Sequence, residues 1–361
     1  MPPTWRTRIR GSILAGASLL ALPTVAAAQG YRGWLPENLN EAYGGRIDSL
    51  YVMILVVVAV AFVATEGVLL YCCVRYRAKP GAKAHYSHGS KKAELFWSIL
   101  PGFVLLWLAL AQRDAWFDIR DRFPADSESV VVQVMPEQFQ WNFRYPGADG
   151  KFGGEDDVTM NGVMHVPVGK PIVTRMNSKD VIHSFFLPHL RVKQDVVPGM
   201  MTRVWFQADR IPCWDLREGK VVYLGPQEFD QRRVAVHPEW GDDYLNDEFS
   251  FGWEDEIPVT GVKTYRYKPP LTEQAWIHHE GKVERRPASE AEMVLHHVEI
   301  ACAELCGLNH WQMRGMLVIE PEPLYRRWLE TKAKEIAEFG PLADLDRWKN
   351  NWDAFHAEYN R

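Results

Sequence analysis

The sequence predicts a membrane-anchored protein: a hairpin of two transmembrane helices, then a Greek-key β-sandwich interrupted by a large insertion, then a C-terminal helix. Three observations predict it. Two long apolar runs lie in the first third of the chain. Short segments rich in β-branched and aromatic residues follow, punctuated by turn residues. The last forty or so residues turn charged and helical in pattern. A length of 361 residues leaves room for more than one domain. The net charge of -5 gives no general attraction to nucleic acid, and the 15 tryptophans suit membrane interfaces and aromatic binding surfaces.

Residues 1–28 read as a signal peptide, with WRTRIRG as the basic region, SILAGASLLALP as the apolar core and VAAAQ as the cleavage site, so that Gln29 follows the cut after Ala28. Residues 29–47 are then an external segment. The first span, 48–73, contains LYVMILVVVAVAFVATEGVLLYCC, whose single charge is Glu66. The second, 94–112, contains LFWSILPGFVLLWLALA, with Pro101 as the expected kink position, tolerated in a membrane bundle. Both runs can cross a hydrocarbon core of about 30 Å at about 1.5 Å per residue. Between them, 74–93 carries six Lys or Arg and no acid before Glu94, which marks the loop as cytoplasmic and the rest of the chain as external.

After a linker at 113–128, strands are expected at SVVVQVM, QFQWNFRY, KPIVTRM, VIHSFFL and RVWFQA within 129–208, and at MVLHHVEIAC and RGMLVIE within 293–321. Together they read as one sandwich. Residues 209–292 have poor strand periodicity and much Gly, Pro and acid, and read as an insertion into it. Residues 322–361 form a helical extension, broken near Gly340 and Pro341.

The chemistry concentrates in CAELCGLNHWQM, residues 302–313, where the spacing is Cys-x3-Cys-x3-His-x2-Met. Thiolate and thioether are soft ligands that favour copper, zinc or iron–sulfur. Structural zinc sites use CxxC pairs without methionine, and a single blue copper uses one cysteine. Two cysteines three residues apart can aim both sulfurs at one point and bridge two copper ions, each capped by one histidine. The second histidine is available as His183 in DVIHSF. Five cysteines in the chain are too few for a disulfide scaffold, and Cys213 has no such neighbours. His189, His296 and His297 are expected to be ordinary structural histidines.

These residues carry a resemblance. CAELCGLNHWQM is similar to the binuclear copper loop of cytochrome c oxidase subunit II. SKDVIHSFFLPHLRVKQDVVPGM resembles the strand supplying that family's other histidine, ELFWSILP the start of its second membrane helix, and QFQWNFRYP its aromatic segment beside the copper. The resemblance implies a cupredoxin-like sandwich with a binuclear copper (CuA) centre. Cys302 and Cys306 would bridge the coppers, His183 and His310 would be terminal ligands, Met313 the weak ligand, and Glu304 a ligand through its carbonyl. The Glu304 side chain would also reach a magnesium ion at the boundary with subunit I. By the same resemblance, electrons come from cytochrome c or another external c-type donor and pass to haem a in subunit I, where oxygen is reduced to water and protons are translocated. The chain would sit in a bacterial inner membrane with subunits I and III, its large domain on the periplasmic side.

The family commonly has a tryptophan where this chain has Phe139, two residues before Trp141. Phe139 and Trp141 are expected to form an aromatic surface above the copper loop where electrons arrive. Glu94 occupies the position that opens a proton pathway into subunit I in the family, and Glu66 is expected to face subunit I without a proton role. The chain has no CxxCH, so no haem c is attached to it through that motif and the donor is a separate protein. The acidic, aromatic run 239–256 offers a docking surface for a basic donor, or for an accessory subunit or respiratory supercomplex through 209–292. Other classes with related features are the copper domain of nitrous oxide reductase, quinol oxidase subunit II, which lacks the copper cysteines, and a membrane-anchored copper-delivery protein.

Overall fold

The computed structural model describes residues 35–339, except 82, 84–85, 87, 148–149, 155, 237–251, 257–262 and 267–273. The expected signal peptide, the chain beyond Phe339 and most of the acidic run 239–256 lie outside the described residues.

Helix α1 spans Gly44–Arg75 and α2 spans Lys91–Ala111. The 32 residues of α1 reach about 48 Å at 1.5 Å per residue, longer than the roughly 30 Å hydrocarbon core. Its ends therefore project beyond the apolar layer, and it begins at Gly44, earlier than the apolar run alone suggests. Val60, Phe62, Leu70 and Trp107 point outward, as on helices that meet lipid or other subunits. Ser90 caps α2 by accepting from the Ala93 N–H at 3.4 Å. Glu94 lies in the first turn, where the helix dipole favours a carboxylate.

Within 113–128, read as a plain linker, a short helix α3 forms at Arg113–Arg120. It is held by tertiary contacts that sequence does not display: Ala115 is buried, and the Trp205 indole donates to the Asp118 carbonyl at 2.9 Å.

The sandwich consists of two five-stranded sheets. One takes β1 (Val130–Glu137), β2 (Gln140–Tyr145), β3 (Val158–Asn161), β5 (Pro171–Met176) and β8 (Thr202–Gln207) in the order β3-β2-β1-β5-β8. The other takes β4 (Val163–Pro167), β6 (His183–Leu187), β7 (Val192–Val196), β17 (His297–Cys302) and β18 (Arg314–Glu320) in the order β4-β18-β17-β6-β7. β1 runs parallel to β5 and β18 parallel to β4, while the hairpin partners are antiparallel. Trp141, Phe143, Phe185, Phe206 and Leu317 fill the space between the sheets. Each such side chain, fully buried, contributes on the order of 1.5–3 kcal/mol.

The reading of 209–292 as poor in strands is corrected by the structure. β9 (Ile211–Asp215), β10 (Lys220–Leu224), β11 (Val234–Val236), β14 (Gln274–His279), β15 (Lys282–Pro287) and β16 (Met293–Leu295) build a six-stranded sheet in the order β10-β9-β16-β11-β14-β15. Helix α4 (Pro226–Gln231) buries Phe229 against it. A further pair, β12 (Gly252–Glu256) and β13 (Lys263–Arg266), forms a separate ribbon. The pattern was obscure because these strands are short, β9 contains Pro212, and β15 is an exposed, charged edge strand. β16 is followed, after His296 alone, by β17. The third sheet therefore feeds directly into the strand that ends at Cys302.

The segment before α1 is stitched to the sandwich. Leu39, Asn40 and Tyr43 are buried. The Leu39 N–H donates to the His189 carbonyl at 2.7 Å, and the Asp209 N–H to the Leu39 carbonyl at 2.9 Å. The Asn40 amide donates to the Leu190 carbonyl at 3.0 Å. Helix α5 (Glu322–Phe339) closes the far side. Its Trp328 stacks on His165 at 4.1 Å, and His165 Nδ1 meets Glu320 Oε1 at 2.9 Å.

Candidate metal centre

Two strands set the ends of the chemical loop. β17 delivers Cys302 and β18 begins at Arg314, with Ala301 opposite Arg314 in the ladder. The Cys302 N–H donates to the Met313 carbonyl at 3.3 Å, closing the loop at its base. On the other side β17 pairs with β6, Cys302 opposite Phe185, and the Ala303 N–H donates to the Ser184 carbonyl at 3.0 Å. That register brings His183, the first residue of β6, beside Cys302. Residues far apart in sequence are thus joined by ladder hydrogen bonds, and a one-residue slip would turn His183 to the opposite face.

The loop is pressed against the β1–β2 turn. The Gln138 amide donates to the Cys306 carbonyl. Gly307 has φ +142, and a Cβ there would stand 2.7 Å from Gln138 Nε2 and 3.1 Å from two ring atoms of Phe139. The backbone conformation and the close approach both require glycine at this position.

Six donors converge within this frame. Cys302 Sγ and Cys306 Sγ are 3.9 Å apart. His183 Nδ1 is 3.8 Å from Cys302 Sγ, and His310 Nδ1 is 3.5 Å from Cys306 Sγ. Met313 Sδ is 3.7 Å from Cys306 Sγ, and the Glu304 carbonyl accepts from Cys302 Sγ at 3.2 Å. The ligand atoms of His183, Cys302 and Cys306 all lie within 4.8 Å of one another. His183, Cys306 and Met313 are buried and Cys302 is half-buried. Two thiols in the middle with one imidazole beside each, a thioether and a carbonyl form a set that fits soft, copper-type ions.

Electrostatics are uneven across the sulfur pair. Burial pushes the Cys306 thiol up, and the neighbouring Cys302 adds to the rise. Burial acts on Cys302 as well, but hydrogen bonds from His183 and from the backbone outweigh it and hold that thiol below its ordinary value. His183 Nε2 lies 2.9 Å from Asp180 Oδ1. The Asp180 carboxylate also accepts from the Gln138 N–H at 2.8 Å and the Val181 N–H at 2.7 Å. Asp180, Gln138 and Gly307 were not singled out in the sequence. The acid three residues before the histidine and the glycine next to the second cysteine were the available signals.

The other expected site residues are spread more widely. Phe139 is half-buried and packs on the core beside Gly307. Trp141 is 0% exposed, edge-on to Phe185 at 5.4 Å and to His183 at 6.4 Å. The expectation that both rings form an outer aromatic surface is corrected for Trp141, because β2 turns it into the sandwich core beneath His183. The Glu304 side chain is exposed. Glu94 is exposed in the first turn of α2, and Glu66 is exposed on α1. His296 and His297 lie side by side at 4.8 Å where the third sheet meets the sandwich. His189 packs near Tyr223. Among the described residues none of the three belongs to the cluster of metal-type donors. Around the loop Leu305, Leu308 and Trp311 are exposed.

Comparison with known proteins gives two family matches. The description "Cytochrome C oxidase subunit II, transmembrane domain" matches residues 43–112, and "Cytochrome C oxidase subunit II, periplasmic domain" matches residues 146–215. The alternative cytochrome c oxidase subunit 2 of Bradyrhizobium diazoefficiens is 25% identical over 319 residues, covering 82% of this chain and 83% of that protein. Cytochrome c oxidase subunit 2 of Cereibacter sphaeroides is 27% identical, covering 56% of this chain and 79% of that protein. Quinol oxidase subunit 2 of Bacillus subtilis is 25% identical over 50% of this chain and 55% of that protein. Among solved structures, the periplasmic domain of subunit II of the Bradyrhizobium japonicum cytochrome oxidase covers 59% of this chain and 97% of that one, at 17% identity and a TM-score of 0.31.

Proposed function

Because the chain belongs to the cytochrome c oxidase subunit II family, part of a terminal oxidase complex, we propose that it is the subunit through which electrons reach the oxidase from an external c-type cytochrome on their way to haem a in subunit I. Subunit I would then reduce oxygen to water and translocate protons. When bound, a binuclear copper pair would supply a reversible one-electron carrier. The observation that carries this reading is the thiol pair 3.9 Å apart with an imidazole Nδ1 beside each sulfur. The quinol-oxidase reading lacks a use for that arrangement.

The chain's own residues do the holding and shielding. Cys302, Cys306, His183 and His310 would hold the metals, and Met313 and the Glu304 carbonyl would complete the set. Asp180 fixes the His183 ring, and the strand ladder and the Gln138 bond fix the loop, so the donors need little rearrangement. Burial of His183, Cys306 and Met313 keeps water from most of the site. Phe139, half-buried outside Gly307, is the residue we assign to electron arrival, with Trp141 behind it supporting His183. The exposed Glu304 side chain is available for a magnesium ion at the subunit I boundary.

Glu94 would collect protons at the cytoplasmic end of α2 for a pathway into subunit I. Turnover that is unchanged in Glu94→Ala, in a fully assembled complex, would remove that role. Glu66 would face subunit I, since an intramembrane carboxylate is stable against protein rather than lipid. The assembly would reside in a bacterial inner membrane, with subunit III present and the sandwich on the periplasmic side. The run 239–256 would steer a basic donor or bind an accessory subunit or a respiratory supercomplex. Neutralising its acids separates the two, since steering predicts a higher KM at low salt and assembly predicts a lost subunit.

The deciding experiment is copper analysis and electron paramagnetic resonance of the purified complex. A mixed-valence two-copper signal that disappears in Cys302→Ser is expected. A silent Cu(I) site that exchanges readily with added chelator would instead favour copper delivery.

A further inference from the structure

β8 is an edge strand of its sheet. Val204 and Phe206 point into the core, so strand alternation turns Arg203 and Trp205 to the outer face. Trp205 is nevertheless half-buried, and it meets the Tyr43 ring edge-on at 5.1 Å. Tyr43 is the N-cap residue of α1 and is buried. Its hydroxyl donates to the Trp205 carbonyl. The Trp205 indole N–H donates in turn to the Asp118 carbonyl of α3 at 2.9 Å. The Asp118 carboxylate pairs with the Arg46 guanidinium of α1, and the Arg46 N–H donates to the Tyr43 carbonyl at 3.1 Å. Four links thus close a ring, from Tyr43 to Trp205, Asp118, Arg46 and back, that passes through α1, β8 and α3. Two further contacts tie the stretch after α2 to the sandwich. The Arg203 guanidinium lies over the Phe123 ring at 4.3 Å, and Arg120 of α3 donates to the Gln194 side chain of β7.

We propose, on the reading of this chain as an electron carrier, that Trp205 is a positioning residue for electron hand-off. Its two hydrogen bonds set the angle of the sandwich over the external ends of both membrane helices. A domain held at one joint can swing about it. The sandwich already has a joint to the start of α1, through the backbone of Leu39 and the side chain of Asn40. The ring adds a joint to α3, which follows α2 after Gln112 alone. Two separated joints remove the swing. Electron tunnelling falls steeply with distance, so a sandwich at one fixed angle hands electrons on at one rate, and a swinging one at many. Shielding of apolar surface needs the rings of Trp205 and Tyr43, but it needs neither the indole N–H nor the phenol hydroxyl. The two hydrogen bonds can therefore be removed while both rings stay.

The test uses the whole oxidase complex in lipid nanodiscs, and combines Trp205→Phe with Tyr43→Phe. Cryo-electron microscopy reads the angle between the sandwich and α1. One orientation is expected in the wild type and a spread of orientations in the double variant. Flash photoreduction of the metal centre by a soluble ruthenium complex, with no donor protein present, reads the step from that centre to haem. A single exponential is expected in the wild type. The double variant should follow a several-fold slower course of several exponentials, with copper content and its paramagnetic resonance signal unchanged. Both changes together support the proposal. A spread of angles at an unchanged rate, a slower rate at an unchanged angle, or no change in either overturns it. Should the double variant fail to assemble or to hold copper, Trp205→Phe alone, which keeps the Tyr43 bond, is read by the same two measurements. The same failure in that single variant also overturns the proposal, because the ring would then hold the fold rather than set an angle. A copper-loaded wild type with no step to haem overturns the electron-carrier reading itself.

Discussion

Asp180 Oδ1 stands 2.9 Å from His183 Nε2, and the other nitrogen of the same ring, Nδ1, faces Cys302 Sγ at 3.8 Å. The carboxylate therefore fixes which nitrogen carries the proton and which is free to bind a metal. Such outer partners typically change metal affinity by about 10–100-fold when removed. Asp180→Asn should lower copper retention by about that factor in competition with a chelator, while leaving the sandwich folded by circular dichroism. His183→Asn should lose the native copper spectrum. If His183→Asn keeps that spectrum, the assignment of the second histidine is wrong.

Two ring atoms of Phe139 would stand 3.1 Å from a Cβ on Gly307, and the proposed role of this ring in electron arrival is open to a direct test. Phe139→Ala should slow electron uptake from a c-type cytochrome, measured by stopped flow, with copper content unchanged. Gly307→Ala acts differently. Its Cβ would collide with Gln138 and Phe139, and alanine is strained at φ +142. It should lose copper as well as rate. An equal loss of copper in Phe139→Ala would reduce the phenylalanine to a packing residue.

Much of this architecture was legible, and the reasons differ by segment. The two spans and the strands around His183 and Cys302 announce themselves, because a continuous apolar run and a short β-branched run are strong local signals. The metal-type donors were visible because Cys302, Cys306, His310 and Met313 crowd into one loop. The third sheet was not legible: β9 carries Pro212 and β15 is charged with little hydrophobic face, so tertiary pairing, of β9 with β16 and of β15 with β14, decides their structure. Trp141 read as a surface residue because sequence gives alternation but not its phase. The pairing of β2 with β1, Trp141 opposite Pro136, sets the phase and turns the ring inward.

The junction between the third sheet and β17 should make the domain sensitive to acid. Burial pushes His296 down to about 4 and His297 down to about 3, each lowered further by a neighbouring histidine. His189 falls to about 4 through burial, then the Arg191 charge, with Glu37 opposing. An unfolded histidine titrates near about 6.5. The folded-state values are depressed, so the stabilisation is fully present above about 6.5 and is lost as pH falls toward 4, where the unfolded chain takes up protons that the fold refuses. The thermal midpoint of the complex should fall over that window, and His296→Gln with His297→Gln should flatten the fall. A midpoint that is level from neutral pH to 4 would remove the histidines from the acid response.

Arg191 joins the sandwich to the segment that leads into α1. Its guanidinium reaches Asp48 Oδ1 at 2.6 Å and Oδ2 at 3.2 Å, the Pro188 carbonyl at 2.6 Å and the Pro36 carbonyl at 2.7 Å. The Arg191 side chain is 7% exposed and that of Asp48 30%. Three of these bonds, two to Asp48 and one to Pro36, tie the sandwich to the segment leading into α1, and the buried end of the contact is the arginine. Arg191→Ala leaves two carbonyls without this donor and a partly solvated carboxylate. Summed over those groups the cost is about 2–4 kcal/mol, with solvent reducing the share of the exposed acid. The residue follows β6, whose first residue is His183, but it touches none of the metal-type donors. Arg191→Ala should therefore leave the copper spectrum intact, lower the thermal midpoint by several degrees and slow the onward transfer of electrons to haem. Arg191→Lys keeps a charge for Asp48 but cannot serve both carbonyls and the carboxylate at once, so it should restore only part of the loss. If Arg191→Ala disturbs the copper spectrum as strongly as His183→Asn, the arginine supports the loop itself rather than the seating of the domain.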